Sequence, residues 1–148
     1  MGARPTKDGI STMAFPSGVG SIPVEITEGQ CPLWFREKQY LKGSGGEGKF
    51  RGGLGQRIVV ENREPVPFVI SAATFDRIHN PPQGREGGAP GRNGAARLAS
   101  GATLPDKGLH IVPQGDALVV ELPGGGGFGK AEERPQSLRD SDAKAGLV

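Results

Sequence analysis

Lys49, Arg51, Arg77 and His79 are the residues of this chain whose types and settings could do chemistry. Lys49 closes Gly43-Ser-Gly-Gly-Glu-Gly-Lys49, which has the spacing of a phosphate-cradling loop, G-x-x-x-x-G-K-[ST], until Phe50 stands where a hydroxyl would hold magnesium. Such a loop also needs a helix behind it, whose amide groups and dipole hold the phosphates. Arg51-Gly-Gly-Leu-Gly55 starts a helix poorly, because each interior glycine costs about 1 kcal/mol against alanine. The stretch is therefore read as a glycine-shaped loop that passes through positive φ or packs close to another backbone, without nucleotide.

Arg51 and Arg77 each offer a planar guanidinium suited to bidentate contact with a carboxylate or phosphate. An ion pair with Glu61 or Asp76 is the alternative use. His79, beside Pro81-Pro82, could move a proton; a packed or solvated ring is the alternative. Gly124, Gly125, Gly126 and Gly127 remove every side chain from one loop, which lets a substrate, a subunit or another backbone approach. Cys31 cannot form an internal disulfide, and with His79 and His110 it makes no zinc-type cluster. With nothing basic fixed beside it, it reads as a small hydrophobe. No catalytic group stands out, and no metal or cofactor is expected on this chain itself.

The elements that must position these residues are short and mostly extended. Ile22, Val24 and Ile26 alternate with polar residues, the period of a half-buried strand over 22–28, with Pro23 placing it at an edge. Pro32 to Leu41 is read as a strand whose Trp34, Phe35 and Tyr40 pack. Gln56 to Asn62 and Val66 to Ser71 are two strands, expected to form a hairpin across Asn62-Arg-Glu-Pro65, with residues 72–79 continuing the second. A long loop covers Asn80 to Asn93, and short strands follow at 94–98 and 109–112. Ala117-Leu-Val-Val-Glu-Leu122 is the clearest strand. Pro135 to Ala145 is the one expected helix, opened by Pro135 and stopped by Gly146. Phe15-Pro-Ser-Gly18 reads as a turn. The expected fold is mainly β, with glycine-rich loops joining short strands and a C-terminal helix.

Leu, Ile, Val and Phe make up only 33 of 148 residues, while Gly and Pro together contribute 39. Much backbone must then be ordered, at about 1–2 kcal/mol per residue, with few large side chains to bury. The chain is expected to be stable only when docked on a partner. A net charge of +2 from interspersed charges argues against a nucleic-acid stripe. No apolar run approaches the roughly 20 residues of a membrane helix, and residues 1–5 show no secretory pattern, so a cytoplasmic protein is expected.

The order of several segments resembles the hydantoinase B/oxoprolinase family. The carrying pieces are Phe15 to Glu28, Ser44 to Gln56, Phe75-Asp-Arg77 with Pro81-Pro82 and Gly87-Gly88, Leu122 to Gly129, and Ala145-Gly-Leu-Val148. The resemblance covers nearly the whole chain and implies the C-terminal part of a much longer subunit: a single partial domain over 1–148 with a tail and helix over 130–148. Met1 to Gly9 then begins in mid-domain, as in a split subunit or a truncated product. It further implies a hetero-oligomer with larger hydantoinase A-like and B-like subunits, which carry ATP and a divalent metal ion. Of the family's reactions, the split arrangement points to an acetophenone carboxylase-like ligase acting on an aryl ketone and bicarbonate. A hydantoinase or 5-oxoprolinase-type amidohydrolase, or a purely structural subunit, is the alternative. Lys130-Ala131 departs from the Asp-Pro usual in the family, and Ala143 from a common valine.

Overall fold

The structure, a computed structural model, describes residues 1–13, 20, 22–72 and 76–147. Its strands are β1 (Leu33–Leu41), β2 (Gly55–Asn62), β3 (Phe68–Ala72), β4 (Ala95–Leu98), β5 (Gly108–Val112) and β6 (Ala117–Glu121). The helices are α1 (Val24–Gln30) and the C-terminal α2 (Gln136–Lys144), with short 3-10 turns at Asp76–Ile78 and Ala131–Glu133. The mainly β fold with its C-terminal helix is as expected. The Phe15–Gly18 turn lies outside the described residues.

The main sheet has the order β1-β2-β6-β4, with antiparallel neighbours throughout. Val59, Ala117 and Val119 are buried on one face. On the other, Leu98 and Leu118 join Val112 in a cluster that Phe68, Ile70, Leu104 and Val120 border. These neighbours come largely from a two-stranded ribbon of β3 and β5 laid over the sheet. Alternation along the ribbon leaves Val69, Leu109 and Ile111 exposed on its outer side.

Four expectations need correction. The expected hairpin of β2 with β3 does not form, because β2 already has β1 on one edge and β6 on the other. The Asn62–Pro65 turn exists, with Asn62 Nδ2 donating to Val66 O at 3.0 Å, but it carries the chain out of the sheet. Of the expected continuation, only 76–79 beyond β3 is described, and Asp76–Ile78 is a 3-10 turn. Residues 24–30 are helical, not extended. Pro23 supplies the non-helical start, Glu25 favours the first turn, and the Glu28 carboxylate accepts the Phe35 N–H at 2.8 Å and Arg63 at 3.1 Å. None of its residues is buried, so an alternating pattern over so few residues had no core face to serve. Trp34 and Tyr40 point outward, at 44% and 53% exposure, rather than packing.

The glycine-rich loops assemble into a third layer. Gly43, at φ +63°, turns the chain out of β1, and Gly129, at φ +72°, ends the last loop. Between them the loops close in on the segment Gly124–Gly127 from three sides. A Cβ at Gly124 would overlap the carbonyl of Ser44, at Gly125 that of Met1, at Gly126 that of Gln83, and at Gly127 that of Glu47. Positions three apart meet the same neighbour. The same spacing recurs where Gly88 and Gly91 abut Gly127 and Gly124, and where Gly52 and Gly55 abut Gly125 and Leu122. Three residues per turn is the period of the extended polyproline-type helix, whose backbone polar groups point outward to neighbours. Those neighbours pair with it: Gly46 N–H to Gly125 O at 2.8 Å, Gly125 N–H to Gly53 O at 2.8 Å, Ala3 N–H to Gly126 O at 2.8 Å, and Gly127 N–H to Ala89 O at 2.9 Å. The Gly43–Gly55 loop thus packs against backbone, as expected, and is followed by β2 in place of a helix.

Candidate functional site

The loop that leaves the bundle delivers Arg51 to a point where four distant segments meet. Its Nε and Nη2 donate to the two carboxylate oxygens of Asp142 at 3.2 and 3.1 Å, a bidentate fork. The ion-pair partner is therefore Asp142 of α2, ninety-one residues away, and not Glu61, which pairs with Arg36. Arg134, just after the Ala131–Glu133 turn, donates to Asp8 at 2.8 and 3.0 Å and to Asp142 at 2.6 Å. Asp8 also accepts the backbone N–H of Arg51 at 2.7 Å. Arg134 and Asp142 are 7% and 9% exposed, so this quartet is largely shielded from solvent.

Two guanidiniums and two carboxylates cancel here. Burial works to raise the pKa of Asp8, but hydrogen bonds from Arg134 and the Arg51 amide, with both cationic charges, hold it below the ordinary carboxylate range. The Asp8 hydrogen bond, opposed by burial, raises Arg134 in turn. Asp142 is the only buried residue of α2. The buried contact of the helix is thus a side chain paired with two arginines, not an apolar stripe.

Beside the quartet lies a cavity of about 310 Å3, lined by Arg51, Arg134, Asp142, Glu47, Gly48 and Arg139, with Ala131. Arg51 is the one expected site residue it contains. Arg77 lines a separate cavity of about 80 Å3 next to Glu121, and its Nη1 donates to Asn80 O at 3.1 Å. Asp76 pairs with Lys107, not with Arg77. His79 is exposed, 3.6 Å from Asp106. Gly124, Gly125, Gly126 and Gly127 are buried among backbone segments and line neither cavity. Glu121 forms a second charged cluster, with Arg57 at 3.0 Å, Arg92 at 3.2 Å and Arg97 at 3.7 Å.

Sequence reasoning missed Asp8, Glu47, Arg134, Arg139 and Asp142. Asp8 and Arg134 are 126 residues apart, and no local period joins them.

The chain matches the hydantoinase B/oxoprolinase family over residues 1–131. It is 34% identical over 133 residues to 5-oxoprolinase 1 of Arabidopsis thaliana, covering 86% of this chain and 10% of that protein. To the acetophenone carboxylase delta subunit of Aromatoleum aromaticum it is 35% identical over 83 residues, 54% of this chain and 12% of that one. Its fold superposes on the crystal structure of an ATP-dependent caprolactamase from Pseudomonas jessenii with a TM-score of 0.81 at 23% identity, covering 99% of this chain and 27% of that one. The chain therefore spans a small part of these longer relatives. No helix among the described residues is long and apolar enough to cross a membrane. Across its β strands, glycine loops and matched length, this chain belongs to the hydantoinase B/oxoprolinase family.

Proposed function

We propose that this chain forms a β-rich framework piece of an ATP-dependent enzyme complex that acts on a carbonyl compound, bordering the reaction site without performing the chemistry alone. The family match over residues 1–131 carries this reading. Two features support it. The buried charges cancel internally, which leaves them suited to holding segments together. The outer side of the β3–β5 ribbon, with Leu109 at 74% exposure, is the surface expected of a chain that docks on others. Larger hydantoinase A-like and B-like subunits are the partners, and they hold ATP and a divalent metal ion. The complex is placed in the cytoplasm, with its supply of ATP.

The substrate class we infer is a cyclic amide, because the likeness to a 5-oxoprolinase runs over 86% of the chain. ATP then supplies the free energy for breaking an unstrained ring amide. A second reading is carboxylation of an aryl ketone, in which ATP activates the enolate and bicarbonate before a carbon–carbon bond forms. The 35% identity to the acetophenone carboxylase delta subunit favours it, over a shorter stretch.

A tagged chain is expected to co-purify with the two larger subunits. ADP release by that complex is then measured with hydantoin or 5-oxoproline, and with aryl ketone plus bicarbonate. Release only with ketone and bicarbonate selects the second reading. Turnover of either substrate by the isolated chain overturns the framework role.

A further inference from the structure

Glu47 and Arg139 face the 310 Å3 cavity as its two uncancelled charges. Arg51, Arg134 and Asp142 in its wall are already neutralised within the quartet completed by Asp8. Arg139 gives one N–H to Ala131 O at 2.6 Å, which fixes the guanidinium on the wall and leaves its other donors over. Among the described residues, the Glu47 carboxylate has no hydrogen-bond or ion-pair partner, and it does not reach Arg139. The cavity thus offers one cation and one anion that do not satisfy each other. Its size is at the small end of ligand cavities, which run about 300–1,000 Å3.

We propose that this cavity binds a small zwitterion: an amino acid whose carboxylate pairs with Arg139 and whose ammonium pairs with Glu47. A nucleotide or other polyanion would bring like charge against Glu47, the one anion of the wall without a cationic partner. A neutral ligand would leave both ions unmatched while displacing their water. Only a molecule with both signs answers both walls.

The cavity charges carry this inference, and its place in turnover rests on the cyclic-amide reading. Opening such a ring with water puts the water oxygen on the carbonyl carbon and breaks the carbon–nitrogen bond. The carboxyl group loses a proton and the freed amine takes one up, so the product carries a carboxylate and an ammonium. The site is then a product-holding site, next to the loop that delivers Arg51.

The test is calorimetric titration of the purified complex with glutamate and with 6-aminohexanoate, alongside neutral caprolactam. At least one amino acid is expected to bind saturably. Glu47→Gln and Arg139→Gln should each weaken it about tenfold or more, with Arg139→Lys recovering part of the loss and caprolactam unaffected by any of them. Both side chains are on exposed residues, so the variants fold. No saturable binding up to concentrations on the order of 10 mM, or an affinity that neither substitution changes, overturns the proposal. Ring-opening turnover in the same preparations separates the two ideas. Turnover with unaltered zwitterion affinity removes only the product site, whereas variant-sensitive binding without turnover removes only the substrate class.

Discussion

The four-stranded sheet and the glycine bundle solve the same problem by opposite means. In the sheet, side chains alternate, and Leu98, Val112 and Leu118 exclude water from the space between two layers. Backbone pairing there uses two directions and leaves two for side chains. In the bundle, Gly124–Gly127 has backbone on three sides, and no direction is left for a side chain. A chain with few bulky residues can still be ordered when its main-chain groups are paired so closely. Glycine's entropy cost is offset by hydrogen bonds that a larger residue would block.

The sharpest way to break this contrast is Gly126→Ala. The new methyl would overlap the Gln83 carbonyl, which cannot swing aside as a side chain can. The loss should exceed the about 1–3 kcal/mol of ordinary overpacking and leave no cooperative unfolding transition in the purified assembly. Next in size is Arg134→Ala, which takes the side-chain cation from Asp8 and leaves Asp142 to Arg51 alone in a shielded site. It should cost about 3–5 kcal/mol by denaturant unfolding and expose α2 to proteolysis first. In the sheet, Leu118→Ala should cost about 2–5 kcal/mol without abolishing the transition, because a cavity is survivable where a clash is not.

Acid titration probes the junction between the two regions. The pKa of Asp8 is lowered on folding, so its stabilisation is full above the unfolded value, about 3.9. It is lost as pH falls through the lower folded value. The unfolding midpoint should therefore drop below about pH 4, and Asp8→Asn should flatten that part of the profile while lowering the midpoint at neutral pH. The smallest effect is a gain. Gly29 lies in α1 with open space around its Cβ position, and Gly29→Ala should add up to about 1 kcal/mol. Equal effects at Gly29 and Gly126 would dissolve the distinction between structural and incidental glycines.

The strands were legible where apolar residues recur in β2 and β6, and Pro135 marked the start of α2. Their pairing was not. Nothing in Val66 to Ser71 says that both edges of β2 are taken by segments on either side in the chain. The bundle did leave a trace in the three-residue spacing of Gly52 with Gly55, and of Gly88 with Gly91, but one loop at a time it reads as flexibility. Arg51 was singled out for its chemistry and assigned the wrong partner. Asp142 sits in a polar helix with no pattern pointing to a residue ninety-one positions earlier. Long-range charge pairing has no period to read.

The enclosure of Gly124–Gly127 has a consequence for how such a protein can diversify. A stretch closed in by backbone on three sides leaves substitution little room, so change that keeps this fold is expected elsewhere. The freedom lies at the mouth of the adjoining hollow, where Glu47 and Arg139 can be exchanged at little risk to folding. A closed scaffold with an alterable rim keeps what holds the chain together apart from what can be exchanged.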